Sequence, residues 1–291
     1  DGTKQMIHLN NAGAALPPNV VRDRVINYLQ EEALHGGYET AAKYTQELQE
    51  IYQHIARFIT CTPAEIALAE NATVAWNLAF SSIPFQAGDI ILTTSVEYGS
   101  NYINYLKAKK EKGILIQLIP TDAAGGVDVA ALEALISPKV RLISITHLPT
   151  NGGLVNPAKA IGSVAKRHGI LYLLDSCQSL GQLPMDVEDL GCDILTGTGR
   201  KFLRGPRGTG FLYVNQQIVS QLIPPFLDNQ SAIWQSETQY QITPTAQRFE
   251  NWENSKALRL GLSEADQYAG QIGMEKIWQS IQYLADYTRQ K

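Results

Sequence analysis

Seven short apolar runs recur from residue 66 onward, and segments of helical pattern separate them. The runs are IALA (66–69), IILTT (90–94), ILIQLI (114–119), VRLISITHL (140–148), ILYLLD (170–175), CDILTG (192–197) and TGFLYV (209–214). Several are apolar on both faces, as strands covered by helices on two sides must be. The stretch 155–169 shows the alternation in one unit. Asn156 can cap a helix, Pro157 suits its first position, and Ile161, Val164, Ala165 and His168 share one face. Gly169 then sits where a helix-ending glycine belongs, and ILYLLD follows at once. Repeated β and α units imply an α/β fold, with a mostly parallel sheet and right-handed crossovers.

The ends of the chain read as helical. Val21, Val25, Tyr28 and Leu29 share a face, and Tyr44, Leu48, Ile51, Ile55, Phe58 and Ile59 form a longer stripe. LHGGYET between them reads as a turn. Residues 215–250, with Pro224, Pro225 and Pro244, read as a loop-rich excursion. Two amphipathic helices close the chain, lined by Leu258, Leu262, Ala265, Ala269 and Ile272, then by Ile277, Ile281 and Leu284.

Composition narrows the function classes. With 291 residues, 44% apolar and 18% charged, the chain has enough core for one large domain or two. A balance of 24 basic against 28 acidic residues gives −4, which argues against a nucleic-acid binder. No apolar run reaches the ~18 residues of a membrane helix, and DGTKQMIHLNN has no apolar signal core. The three cysteines, at 61, 177 and 192, form no CxxC pair. They fit a reducing, cytoplasmic compartment and argue against a disulfide framework or a metal site. All three read as small core residues.

In open α/β sheets ligands bind at the carboxyl ends of strands. After 66–69 comes Glu70-Asn71-Ala72-Thr73, where Asn or Thr can cap a helix beginning near Val74; its free amides suit a phosphate. After 170–175 comes Asp175 with Ser-Cys-Gln, and after 192–197 comes Gly-Thr-Gly-Arg-Lys with Lys201. Arg200, Arg204 and Arg207 lie close by, and such cations lower a lysine's pKa. Each feature alone is an ordinary cap or surface charge. Together they match the three anchors of pyridoxal phosphate: a Schiff-base lysine, a carboxylate for the pyridine nitrogen and an anion site. Competing signatures are missing: G-x-G-x-x-G, Walker A, H-E-x-x-H and G-x-S-x-G do not occur. His8, His35, His54, His147 and His168 are scattered, none pairs at metal-ligand spacing, and they read as ordinary polar or partly buried residues.

Over nearly its whole length the sequence resembles the class V aminotransferase family of fold-type I pyridoxal-phosphate enzymes. It is most similar to members of the cysteine desulfurase-like, C–S lyase and isopenicillin N epimerase-like kinds. The motifs that carry this are HLNNAGAALPP (8–18), NATVAWN (71–77), EYGSN (97–101), THLPTNGGLVNP, LLDSCQSLGQLPMDV and GTGRKFLRGPRGTGFLYV, in the family's order. The resemblance implies a three-layer transferase large domain with a mostly parallel sheet, the small C-terminal domain being largely absent. Residues 1–60 would form an N-terminal helical segment, 61–250 the cofactor-binding domain, and 251–291 helices leading toward the missing domain.

The resemblance also implies roles. Lys201 forms the Schiff base and moves the proton at the substrate α-carbon. Asp175 pairs with the pyridinium nitrogen, Gln178 contacts the ring hydroxyl, and Tyr98 stacks on the ring. Ala72 and Thr73 hold the phosphate; Thr198 and Arg200 add contacts where relatives more often have Ser and His. Asn151 or Thr150 lies near the ring hydroxyl, and Asn11, Ala12 and Gly13 border the substrate. The usual Gly-Thr after the RFE-like segment is replaced by Asn-Trp-Glu-Asn, so Trp252 reads either as its substitute or as a packing anchor. None of the cysteines is placed as a persulfide carrier, and Arg204 or Arg207 could bind the substrate carboxylate. The implied activity is lysis of a C–S bond in an amino-acid substrate, joined to the cofactor as a Schiff base, by a homodimer. Epimerase, aminotransferase and non-catalytic relative are the alternatives.

Overall fold

The computed structural model describes residues 2–151 and 153–291; Gly152, within THLPTNGGLVNP, lies outside the described residues. Helices α1 (Asn19–His35), α2 (Gly37–Lys43) and α3 (Thr45–Ile59) come first. Then follow β1 (Ile66–Ala69), α4 (Ala72–Ser82), β2 (Ile90–Thr93), α5 (Gly99–Lys112), β3 (Leu115–Leu118), α6 (Val129–Ala134), β4 (Val140–Thr146) and α7 (Ala158–His168). The chain continues through β5 (Leu171–Asp175), α8 (Val187–Leu190), β6 (Ile194–Thr198), β7 (Gly210–Val214), β8 (Ala232–Ser236), β9 (Gln239–Ile242), α9 (Lys256–Ile272) and α10 (Met274–Arg289).

All seven apolar runs became strands of one sheet, ordered β1-β7-β6-β5-β4-β2-β3. Pairing is parallel from β3 through β2, β4 and β5 to β6; β7 runs against both β6 and β1. The strands alternate between two cores. Ile143, Tyr172, Leu174 and Leu195 pack with α1, α3, α7 and α9 on one face. Leu142, Leu173, Ile194 and Leu212 pack with α4 and α5 on the other, where Trp76 stacks on Phe80 at 4.6 Å. The result is the expected three-layer α/β arrangement, with a mostly parallel central sheet.

Four local expectations are corrected. LHGGYET is a turn only at Gly36, whose φ of 91° breaks the helix; Gly37 already opens α2. Asn156 does not cap α7: its amide donates to the Thr146 carbonyl and its oxygen accepts from the Val127 amide, joining two loops instead. The excursion at 215–250 contains the β8–β9 hairpin, which carries Ile233, Trp234 and Tyr240 exposed. Trp252 is not a packing anchor, being 53% exposed.

Gly210 is what lets β7 lie against the start of α4. A Cβ there would stand 2.7 Å from the Asn71 carbonyl carbon and 2.9 Å from the Ala72 nitrogen. Both neighbours are backbone and cannot turn aside. Gly210→Ala is expected to lower stability by about 1–3 kcal/mol, read as an earlier urea midpoint with an unchanged slope.

Candidate active site

The parallel strands bring their carboxyl ends to one edge of the sheet, and β7, running the other way, brings its start there. A cavity of about 330 Å³ opens at that edge. Its wall is drawn from the residues just past β1, β2, β4, β5 and β6 and just before β7, including Asn71, Tyr98, Thr150, Asp175, Lys201 and Thr209. Segments distant in sequence therefore meet because the strand register aligns their ends.

Lys201 sits three residues past β6, in a loop closed by the Gly205 amide donating to the Gly199 carbonyl (2.7 Å) and the Gly199 amide to the Thr209 carbonyl (3.0 Å). The side chain is buried, and its Nζ lies 6.0 Å from the Tyr98 ring centroid. Burial, foremost, and the Arg200 guanidinium hold its pKa below the ordinary lysine value, while Cys177 and Asp175 pull the other way. Nearby cations are thus the smaller part of the lowering. A buried amine with a depressed pKa is a competent nucleophile and base.

Asp175 ends β5. Its Oδ1 accepts the Cys177 amide at 3.0 Å, and its Oδ2 accepts the Asn101 side-chain amide at 2.9 Å. Asn101, in the first turn of α5, also donates to Glu97 Oε1 at 3.1 Å. Glu97 accepts from the Thr146 hydroxyl and, at 2.8 Å, from the Tyr98 amide. Burial, opposed by the Thr146 hydrogen bond and reinforced by Asp175, pushes the Glu97 carboxyl up to about 7. Behind Asp175, the His147 amide donates to its carbonyl, and burial lowers the His147 imidazole to about 4, so that ring is neutral.

At the other end of the cavity, Asn71 caps α4 by accepting the Val74 amide at 3.0 Å. The amides of Ala72 and Thr73 are left without intrahelical partners, and the helix dipole adds partial positive charge there. Arg207 and Thr198 complete this end; the Thr198 hydroxyl donates to the Thr209 carbonyl at 3.3 Å.

A sequence model of the family described as aminotransferase class-V matches residues 7–291. The chain belongs to the class V aminotransferase family. A probable cysteine desulfurase of Methanothermobacter thermautotrophicus is 30% identical over 274 residues, covering 93% of this chain and 68% of that protein. A cysteine desulfurase of Yersinia pestis is 32% identical over 293 residues, covering 97% of this chain and 71% of that protein. Among solved structures, the apo cysteine desulfurase of Thermococcus onnurineus matches with a TM-score of 0.92 and 25% identity, over 99% of this chain and 73% of that one. A cystine C–S lyase, solved with its product cysteine persulfide, shares the fold at a TM-score of 0.89 and 24% identity, over 96% of this chain and 76% of that one.

This class V family is one of pyridoxal-phosphate enzymes, and the cavity's donor set fits that group. A helix start with free amides lies at one end, an acid at the other, and a buried amine beside them. Among the described residues Gln178 Oε1 is buried without a partner, and its amide nitrogen makes only long contacts, 3.3 Å to the Ala12 carbonyl and 3.5 Å to Thr150. A polar ligand at this point would satisfy it.

Of the site residues expected from sequence, Ala72, Thr73, Tyr98, Asp175, Gln178, Thr198, Arg200 and Lys201 all line the cavity. Asn151 is exposed and does not; Thr150 takes that place. Asn11, Ala12 and Gly13 lie outside the wall, although Gly13 accepts from Arg200 Nη1 at 2.9 Å through its carbonyl. Cys177 is no plain core residue, because it forms part of the wall. Arg248 and Glu250 serve structure. Arg248 donates to the carbonyls of Val219 and Thr243, and Glu250 accepts from the Leu68 amide, Tyr52 and Arg259. Sequence reasoning passed over Glu97 and Asn101; their spacing of four residues across a helix start was the available signal.

Folding raises the Glu97 carboxyl from 4.5 to about 7, so between those values the folded chain keeps a proton that the unfolded chain has lost. Its contribution to stability is present in full below 4.5 and is lost as pH rises through about 7. Glu97→Gln should remove this loss, worth roughly 3 kcal/mol in all. Urea unfolding of both proteins at pH 5 and pH 8 measures the difference.

Proposed function

We propose that this chain is a pyridoxal-phosphate enzyme that cleaves the C–S bond of cysteine, or of a closely similar sulfur amino acid, by β-elimination. The observation that carries this reading is the buried Lys201 amine sharing one cavity with Asp175 and the start of α4. The relatives named cysteine desulfurase, at 30% and 32% identity, support the choice of substrate.

In this reading Lys201 holds the cofactor through its amine and Asp175 keeps the ring nitrogen protonated. Tyr98 covers the ring. Ala72, Thr73, Thr198 and Arg200 receive the phosphate, and Gln178 and Thr150 meet the ring hydroxyl. When bound, the cofactor supplies an electron-withdrawing ring that stabilises negative charge at the carbon beside the substrate nitrogen. Lys201, released from its bond, takes the proton from the substrate α-carbon; its lowered pKa leaves more of the amine neutral for that task. The Cβ–Sγ bond then breaks, and its electron pair leaves with sulfur, which is protonated and released. Water completes the balance: cysteine and water give pyruvate, ammonia and sulfide.

Sulfur transfer to a thiol of the wall has little support. Cys177 is the wall's cysteine, and burial, then Asp175, holds its thiol well above the ordinary value, in the un-nucleophilic form. Arg204 gives its Nε to the Leu16 carbonyl, whereas Arg207 stands in the wall, beside the start of α4 that receives the phosphate. A homodimer belongs to this reading, supported by the exposed Ile233, Trp234 and Tyr240 of the hairpin. A cytoplasmic location is supported by three free cysteines. Among the described residues no helix is long and apolar enough to cross a membrane.

The purified protein with added pyridoxal phosphate should show a visible absorbance band that borohydride fixes on Lys201 and that Lys201→Ala abolishes. Cysteine should yield pyruvate, ammonia and sulfide in equal amounts, with Lys201→Ala inactive. A protein that stays colourless with added cofactor overturns the reading.

A further inference from the structure

The acid of this site does not stand alone. Asn101 is 2% exposed, and its amide nitrogen has two N–H bonds to give. One goes to Asp175 Oδ2 at 2.9 Å and the other to Glu97 Oε1 at 3.1 Å, so both are committed. Asp175 Oδ1 is held separately, by the Cys177 amide at 3.0 Å. A carboxylate gripped at both oxygens cannot turn about its own bond without losing one of them. Glu97 is fixed in the same way. Oε1 accepts from the Thr146 hydroxyl at the end of β4 and from the Tyr98 amide, and Oε2 accepts from the Thr93 hydroxyl of β2 at 3.3 Å. The one carboxyl therefore ties down the backbone of Tyr98 and, through Asn101, the carboxylate of Asp175. The titratable groups around it are Asp175, Tyr105 and Tyr172.

We propose that Asn101 and Glu97 are positioning residues of this site: the bridging amide sets the plane of Asp175, and Glu97 sets both that amide and the backbone of Tyr98. This rests on the reading of Lys201 and Asp175 as cofactor-binding residues. It adds that the acid's fit to a protonated ring nitrogen is built by β2, β4 and α5, and not by β5 alone.

The test compares Asn101→Leu, Glu97→Leu and Glu97→Gln with the parent protein, using pyridoxal phosphate itself as the probe. Asn101→Leu and Glu97→Leu should each weaken the dissociation constant by about tenfold or more, the scale of a hydrogen bond to a charged group. They should also displace the pH at which the bound cofactor's absorbance changes, and lower kcat more than they raise KM for cysteine. Glu97→Gln keeps an acceptor for all three donors to Oε1 and should restore most of the affinity that Glu97→Leu loses. Melting of the cofactor-free proteins supplies the control. Wild-type affinity and pH behaviour in both leucine variants overturn the proposal and leave the Lys201 reading intact. Losses that only follow a fall in the melting temperature of the cofactor-free protein also overturn it, since the role would then be structural. A parent protein that binds no pyridoxal phosphate overturns both.

Discussion

Apolar side chains leave the inner strands on both sides, and helices cover both faces of the sheet. A polar side chain there has no water to meet; Ser144 of β4, for example, accepts from the Tyr105 hydroxyl. Only at the strand ends can polar groups gather around a space. Asp175, Thr146 and Thr198 are all strand-terminal and buried, and all stand in the wall of one cavity. The closed faces of the sheet thus decide where chemistry can be done, and the parallel pairing decides that six segments do it together.

Much of this was legible because an apolar run announces its own end. Where IALA, ILYLLD and CDILTG stop, the next residues are the helix cap, Asp175 and the turn to Lys201. What escaped depends on contacts across the fold. Thr150 and Asn151 are neighbours in a loop, and no local pattern says which one turns inward. Asn156 carries a good capping side chain, but a better use exists for it, in joining the end of β4 to the segment before α6. The β8–β9 hairpin hid behind prolines and exposed aromatics. The joint placement of Glu97 and Asp175 follows from β4 lying between β2 and β5, a pairing order that residue spacing does not encode.

The cavity is electrostatically polarised along its length. The acid end holds Asp175 with Glu97 close behind it, and the opposite end holds the start of α4 with Arg207. Two carboxyl groups sharing one amide cannot both ionise freely in a buried place. Burial, reinforced by Asp175, raises the Glu97 carboxyl to about 7, so below that pH Glu97 keeps its proton. The proposed cofactor, with a ring nitrogen at one end and a phosphate at the other, matches that polarity.

The reversal of β7 has one more consequence. Because it runs against β6, the segment from Gly199 to Thr209 both leaves and re-enters the cavity, pinned at its neck by the Gly199–Thr209 and Gly205–Gly199 backbone bonds. That segment is a ruler: its residue count sets the separation between the amine of Lys201 and the cationic end beside Arg207. One inserted residue would put the two out of gauge with each other while leaving both chemically intact.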